Sequence, residues 1–233
     1  KAENKIPVEP QDNLYKVEVK VDKAGCLSLP PEILAHLGGA PGASLHLVKE
    51  SGQVRLEPNL HALRRLYLEP TTACNLSCQT CIRHTWSEAP GFISRELVKK
   101  VASEIKDFPF LQSIMLAGFG EPLVHRDIAW IVEKLKTASS ASIEITTNGT
   151  LLDETMARDL LEAGLDRLWV SFDGSSESSF NDIRRGASFN FVLQNVQRIR
   201  DLAAGRNKPF SLGISFVVMR DNINELKNIE RLI

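Results

Sequence analysis

The sequence predicts an α/β protein in which a small β-rich module, residues 1–60, precedes a larger unit with a parallel sheet, residues 61–233. Two observations support this prediction. From about Leu63 onward, strand-like apolar segments alternate with amphipathic helical segments, which is the order of repeated βα units. Before that point the apolar residues follow a period of two and are interrupted by Gly and Pro, which is typical of short strands joined by turns.

The N-terminal module is predicted to begin with a half-buried strand at residues 14–21, where apolar and polar residues alternate. Asp22-Lys23-Ala24-Gly25 then predicts a turn in which Gly25 adopts a positive φ. The other predicted elements are a short strand at 26–29, a helix at 32–37, and a hairpin of residues 43–49 and 53–57 around Ser51-Gly52. Cys26 falls in this strand pattern, and we expect it to be a small buried hydrophobic residue rather than a metal ligand.

The larger unit shows five βα repeats. The predicted strands are residues 65–69, 112–117, 142–146, 167–172 and 210–218. The predicted helices are residues 94–107, 126–138, 153–163, 189–204 and 222–233. Helix 94–107 illustrates the reasoning, because Ser94 is a good N-cap and the apolar residues behind it form one stripe. Helix 153–163 likewise begins at Asp153 and is followed by Gly164, a typical left-handed cap.

The amino-acid composition and the net charge reduce the number of functional classes to consider. The apolar fraction of 43% suffices for a buried core, and the formal net charge of −1 gives no general attraction to nucleic acid or anionic membranes. No apolar run approaches the roughly 18 residues of a membrane span, and the N-terminus shows no signal-peptide pattern. The sequence begins at Lys1 and ends inside a predicted helix, so we expect it to be a piece of a longer protein.

Cys74, Cys78 and Cys81 form a C-x3-C-x2-C spacing directly after the first strand of the larger unit. Three thiolates so close together can converge on one metal centre. A cubane iron–sulfur cluster takes four cysteines, so three would leave one iron with an open position, as in a reactive metal site. A zinc site completed by His84 is the alternative. A disulfide framework is disfavoured because the chain has four cysteines and no secretion signal, and the unpaired cysteines indicate a reducing, cytoplasmic setting.

The cysteine spacing resembles the signature of the radical SAM enzymes. A second motif, GFGEP at residues 118–122, resembles the GGEP motif of the same family in a G-x-G-E-P form. The resemblance implies a partial (β/α)6-type barrel whose sixth unit lies beyond Ile233. It also implies that the three cysteines hold a 4Fe–4S cluster whose open iron binds S-adenosyl-L-methionine (SAM). An electron from a donor such as ferredoxin or flavodoxin would cleave SAM to a 5′-deoxyadenosyl radical, which removes a hydrogen atom from the substrate.

The same resemblance implies cofactor contacts at the ends of successive strands, where the active sites of βα folds lie. Gly118 and Gly120 let the backbone approach a ligand, and Glu121 is suited to the methionine amine of SAM. Further SAM or substrate contacts are assigned in this way to Thr80, Asn148, Ser171, Asp173 and Arg185. Four of these have an ordinary alternative: a spacer at Thr80, a simple turn at Asn148, a turn cap at Asp173 and a surface helix-entry residue at Arg185.

Further resemblances point to a smaller group within the radical SAM family. The Arg185-Gly186 pair before a helix resembles the SPASM-type branch, whose members modify peptides and proteins. Residues 21–30, with Pro41-Gly42, resemble the AbrB/SpoVT swapped-hairpin family, which forms intertwined dimers and often binds DNA. This N-terminal module ahead of such a core, together with the run at 81–86, is similar to the tungsten cofactor oxidoreductase maturase group. The implied substrate is a peptide or protein, such as a tungsten enzyme.

Other functions remain open at this point. Residues 1–60 contain seven Lys and Arg against eight Asp and Glu, a net charge of −1, whereas a DNA-binding face is normally basic. We therefore interpret the module as a homodimerisation or docking element before a DNA reader. The alternatives are a DNA-binding regulator with a redox-sensing cluster, and a radical SAM enzyme acting on a small molecule or RNA.

Overall fold

The computed structural model describes residues 19–36, 45–58, 63–229 and 231. The chain divides into two compact units, Lys1–Asn59 and Leu60–Ile233. Each unit is described by itself.

The first unit contains helix α1 (Pro31–His36) and an antiparallel hairpin of strands β1 (Leu45–Glu50) and β2 (Gln53–Pro58). The hairpin turn is predicted correctly: Ser51 and Gly52 have φ values of 49° and 83°, the left-handed pair of a two-residue turn that follows the strand twist. Gly25 also has the expected positive φ, 83°. The predicted strand at 26–29 is reduced to one isolated bridge between Val21 and Leu27.

Two expectations for the first unit have a different outcome. Cys26 is exposed, so the expectation of a buried position is wrong for this chain by itself. The predicted strand at 14–21 lies largely outside the described residues.

The second unit is built on a parallel sheet, as predicted. The strands are β3 (Arg65–Leu68), β4 (Ser113–Leu116), β5 (Ser142–Thr147), β6 (Arg167–Ser171) and β7 (Ser211–Ser215). They pair in chain order within the described residues, and every pairing is parallel. Alternate residues such as Ile114, Ile143 and Leu168 are fully buried beneath the helices, because side chains alternate across a strand.

The helices of this unit are α2 (Arg95–Glu104), α3 (Ile128–Ala138), α4 (Glu154–Ala163), α5 (Glu177–Ile183), α6 (Phe189–Ala204) and α7 (Leu226–Ile229). Buried residues of α2 to α6 join those of the strands in one hydrophobic core. The predicted caps are confirmed: Ser94 Oγ accepts from Leu97 N at 3.1 Å, and Asp153 Oδ1 accepts from Met156 N at 2.8 Å. Gly164 ends α4 in the left-handed region at φ 94°. Among the described residues, no helix combines the length and apolar character that a bilayer crossing demands.

The sequence prediction missed α5 and extended the last elements too far. Helix α5 begins after Ser176, whose side chain caps it, and buries Phe180 and Ile183. Two apolar anchors in a serine-rich segment give too weak a periodicity to reveal a helix. Strand β7 ends at Ser215 rather than 218. The helix predicted at 222–233 is a 3-10 turn, Ile223–Glu225, followed by α7, and residues 230, 232 and 233 lie outside the described part.

Candidate metal centre

The cysteine loop leaves the carboxyl end of β3 and is fixed at its start by the segment that precedes α2. Thr71 Oγ1 donates to the Gly91 carbonyl at 2.7 Å and accepts from Ala73 N at 2.9 Å. Thr72 Oγ1 accepts from Gly91 N at 2.8 Å. Beyond Leu68, where strand β3 ends, the threonine hydroxyls provide the hydrogen bonds that fix the backbone. The start of the cysteine loop therefore has a defined conformation.

The three cysteines have free thiols and lie on one loop after β3. Cys78 is buried, with 9% of its surface exposed, whereas Cys74 and Cys81 are partly exposed. Burial raises the pKa of the Cys78 thiol above its usual value of 9.0, the nearby charge of Arg184 opposes the rise, and the neighbouring Cys74 and Cys81 add to it. A thiol that resists ionisation for this reason becomes a good ligand once a positive metal centre supplies the missing charge.

Polar groups are also aimed at the sulfur of Cys74. Leu76 N donates to Cys74 Sγ at 3.4 Å, and Asn148 Nδ2 lies 3.9 Å from the same atom. Hydrogen bonds to cysteine sulfurs are one means by which proteins set the reduction potential of iron–sulfur clusters. The donor set therefore fits a cluster held by three cysteines.

The zinc alternative has less support. A single zinc ion bound at about 2.3 Å draws its thiolates to within about 4 Å of one another. No group of three metal-ligating side chains in the described residues has the arrangement for one ion. His84 Nε2 lies 2.8 Å from the Cys78 carbonyl oxygen, and because a carbonyl only accepts, this ring nitrogen carries its proton.

The GFGEP loop, which follows β4, packs directly on the cysteine loop. Glu121 N donates to the Ala73 carbonyl at 2.8 Å. A Cβ on Gly120 would overlap the Thr71 carbonyl oxygen and would lie 2.7 Å from that of Ala73. A Cβ on Gly118 would overlap the Glu69 side chain, whose Oε1 accepts from Gly120 N at 3.2 Å. Gly120 is therefore required by the close approach of two backbones, and Gly118 leaves room for the Glu69 side chain.

Glu121 itself faces the interior of the protein. With 3% of its surface exposed, its carboxylate accepts from Leu123 N at 3.0 Å, Thr147 Oγ1 at 2.7 Å and Asn148 N at 2.7 Å. Burial raises the pKa of this carboxyl above its usual 4.5, while these hydrogen bonds and the charge of Arg184 pull it down. The geometry differs from the expected open carboxylate, since Glu121 ties the end of β5 to the GFGEP loop.

The loop after β5 joins the same arrangement through Asn148. Asn148 Nδ2 donates to Asn75 Oδ1 at 3.0 Å, and its Oδ1 accepts from Thr150 N at 2.9 Å. Asn75 Nδ2 donates in turn to Thr150 Oγ1 at 2.7 Å. The Asn-Gly turn is thus present, but its side chain also reaches the cysteine loop.

The end of β6 carries an ion pair. Ser171 is buried at the strand end. Asp173 is fully buried, and its Oδ1 accepts from Val217 N at 2.9 Å while Oδ2 lies 2.6 Å from Arg184 Nη2. Both oxygens of Asp173 therefore face protein groups, and the ligand contacts assigned to Ser171 and Asp173 stay predictions.

Comparison with known protein families decides the identity of this arrangement. Residues 68–233, which contain the cysteine loop and the GFGEP loop, match the model of the radical SAM superfamily. The chain belongs to the radical SAM superfamily. This is a family of SAM-dependent enzymes that use a 4Fe–4S cluster, so the cluster and cofactor expected from the cysteine spacing are confirmed at the level of the family.

The chain is similar to relatives that carry two different names. The chain is 31% identical over 173 residues to the tungsten-containing aldehyde ferredoxin oxidoreductase cofactor-modifying protein of Pyrococcus furiosus, covering 72% of this chain and 48% of the relative. It is 39% identical over 155 residues to a probable GTP 3′,8-cyclase of Methanothermobacter thermautotrophicus, covering 66% and 48%. The chain spans about half the length of the curated relatives it matches.

A solved structure supports the radical SAM fold. The structure of anSMEcpe with bound AdoMet and the Cp18Cys peptide has a TM-score of 0.59 to this chain at 21% identity, over 73% of this chain and 47% of that one. At this identity the likeness shows the fold alone.

Two residues of this radical SAM site were not anticipated from the sequence. Glu69 bonds the backbone of the GFGEP loop, and Arg184, rather than its neighbour Arg185, is the arginine directed into the site. Arg185 and Thr80 are exposed. The sequence contained a signal for Arg184, because the inward face of α5 follows Phe180 and Ile183, but α5 itself was not predicted.

Proposed function

We propose that this chain is the SAM-binding core of a radical SAM enzyme that modifies a peptide or protein, and that the protein takes part in the maturation of a tungsten-dependent oxidoreductase. The observation that carries the proposal is the 31% identity, over 72% of the chain, to the tungsten cofactor-modifying protein of Pyrococcus furiosus. The proposed SPASM-type branch and the AbrB-like module, with its role in homodimerisation, agree with this assignment.

When bound, the cluster and SAM supply a 5′-deoxyadenosyl radical that removes a hydrogen atom from the substrate. The protein's part is to hold these groups and to keep water away. Cys74, Cys78 and Cys81 are the proposed cluster ligands. Cys74 and Cys81 are partly exposed, which supports the approach of SAM and of an electron donor such as ferredoxin or flavodoxin from their side.

The proposed SAM contacts involve one backbone position and three side chains. Gly118 is exposed, so its backbone is accessible to the methionine amine. Ser171 and Thr80 are proposed to contact the nucleoside, and Arg185 a carboxylate of SAM or substrate. Gly120, Glu121, Asn148 and Asp173 are proposed to act by holding the loops in place.

A test uses the full-length protein, reconstituted anaerobically with iron and sulfide and supplied with SAM and dithionite. The proposal expects 5′-deoxyadenosine, and expects its formation to accelerate with peptides taken from a tungsten oxidoreductase. Absence of 5′-deoxyadenosine from a protein with a full cluster would contradict the radical mechanism.

A second candidate is a reaction on a small molecule, because several relatives are named as probable GTP 3′,8-cyclases, one of them 39% identical. The same assay separates the two candidates. GTP added in place of peptide should leave the rate unchanged if the first proposal is right. Consumption of GTP coupled to 5′-deoxyadenosine formation would favour the second.

A further inference from the structure

The segment that follows α5 is bonded directly to the cysteine loop. Gln79 N donates to the Ile183 carbonyl at 2.8 Å, and Ser77 N donates to the Arg185 carbonyl at 3.2 Å. These two hydrogen bonds bracket one residue on each side, so that Cys78 and Arg184 stand opposite each other. This pairing links the buried cysteine to an element more than 100 residues later in the chain.

The side chain of Arg184 turns inward from this position. It is 14% exposed, and its Nη2 lies 2.6 Å from Asp173 Oδ2 on a side chain that is 1% exposed. Asp173 is held in turn by Val217 N at 2.9 Å. A permanent cation is therefore held inside the protein, paired with the buried Asp173 and opposite the buried Cys78.

This placement needs a reason beyond stability. A buried ion pair is weak evidence for stability, because desolvation offsets much of the attraction between the charges. Arg184 Nε and Asp173 Oδ2 are moreover buried with no hydrogen-bond partner among the described residues, although Oδ2 lies 2.6 Å from Arg184 Nη2. An unsatisfied buried polar group costs about 1–3 kcal/mol, so an apolar pair would serve packing better. A guanidinium with a spare donor, opposite a proposed cysteine ligand, is suited to a negatively charged metal centre.

We propose that Arg184 raises the reduction potential of the cluster by holding a fixed positive charge against Cys78, and that Asp173 positions it. A cluster that takes up an electron becomes more negative, and a nearby cation stabilises that reduced form. Arginine serves this role at any pH because its guanidinium stays protonated. Arg184 is thus a positioning and tuning residue that acts through a ligand. The inference requires the cluster but not the proposed substrate, and so goes beyond the proposed function.

The test is a redox titration of the reconstituted full-length protein without SAM, monitored by the electron paramagnetic resonance of the reduced cluster. Three variants are compared with the wild type: Arg184→Gln, Arg184→Lys and, as the control, Arg200→Gln, which removes an exposed arginine of α6 that pairs with Asp201. For Arg184→Gln we expect reduction to become at least about tenfold less favourable, which is a fall of about 59 mV for one electron. Arg184→Lys should keep most of the potential, and Arg200→Gln should keep all of it.

A fourth variant, Asp173→Asn, distinguishes charge from structure. Removing the negative charge of Asp173 should raise the reduction potential of the cluster, a shift opposite in sign to that of Arg184→Gln. If the two residues had only a structural role, both variants would disturb the cluster in the same way. Iron and sulfide contents establish that each sample holds a full cluster. If Arg184→Gln assembles none, Arg184→Lys and Asp173→Asn decide the matter by the sign of their shifts.

Unchanged potentials in Arg184→Gln and Asp173→Asn with full clusters would overturn the inference, as would a potential in Asp173→Asn no higher than in the wild type. Neither result affects the formation of 5′-deoxyadenosine by the wild type, which tests the proposed function separately.

Discussion

Replacement of Gly120 by alanine should separate the GFGEP loop from the cysteine loop. The alanine Cβ would overlap the Thr71 carbonyl oxygen and would stand 2.7 Å from the Ala73 carbonyl oxygen. Both obstacles are backbone atoms, which cannot turn aside as a flexible side chain can. Relief of the overlap requires the loops to move apart, and this breaks the 2.8 Å hydrogen bond from Glu121 N to Ala73 O.

The cost follows from these two changes. Overpacking of a tight contact costs about 1–3 kcal/mol, and the lost hydrogen bond adds about 0.5–1.5 kcal/mol. We therefore expect Gly120→Ala to lower the free energy of opening of these loops by about 2–4 kcal/mol. Each 1.4 kcal/mol is a factor of ten, so exchange of the Glu121 amide hydrogen should accelerate by about thirtyfold to about a thousandfold.

Hydrogen exchange measured by mass spectrometry on peptides spanning residues 110–125 tests this expectation, and the iron content after reconstitution should fall in parallel. The matched control is Gly91→Ala, on the segment that anchors the same loop, where the nearest atom to an added Cβ is Thr72 Oγ1 at 3.9 Å. It should exchange and bind iron as the wild type does. Equal exchange rates and iron contents in wild type and Gly120→Ala would refute the reasoning.

Three other predictions concern the metal centre and the fold. Cys78→Ala should lose cluster iron and SAM cleavage while keeping its circular dichroism spectrum. The control Cys26→Ala, at an exposed cysteine, should retain both the iron and the cleavage. Cleavage of SAM by Cys78→Ala would contradict the ligand assignment. Burial raises the pKa of Glu121 above 4.5, so its contribution to stability is full below pH 4.5 and is lost as the pH rises through the raised pKa. Glu121→Gln does not titrate, and its deficit in Tm relative to wild type should therefore shrink between pH 4.5 and higher pH; a constant deficit would disprove the assigned shift. Asp153→Ala removes a 2.8 Å N-cap bond and should cost about 1 kcal/mol in urea unfolding, with no change in iron content.

Local patterns sufficed for much of the fold. The βα alternation predicted the parallel sheet, because buried strands read as short apolar runs and the helices that cover them as stripes. Caps at Ser94, Asp153 and Gly164 were readable because each acts within one turn of the chain. Helix α5 was missed, because its two buried side chains leave little periodicity, and the helix at the end of the chain was overextended. The AbrB-like identity of the first unit and the contacts assigned to SAM stay predictions.

The sequence by itself determined the family of this protein and predicted its metal ligands, since three cysteines within eight residues and a glycine-rich motif near the next strand end are local features. Only the tertiary structure decided what surrounds them. It showed that Glu121 and Asp173 bond protein groups, and that Arg184 rather than Arg185 stands opposite Cys78. The physical reason is that parallel strands bring together loops distant in sequence, and the direction of a side chain on such a loop depends on partners that no local pattern contains.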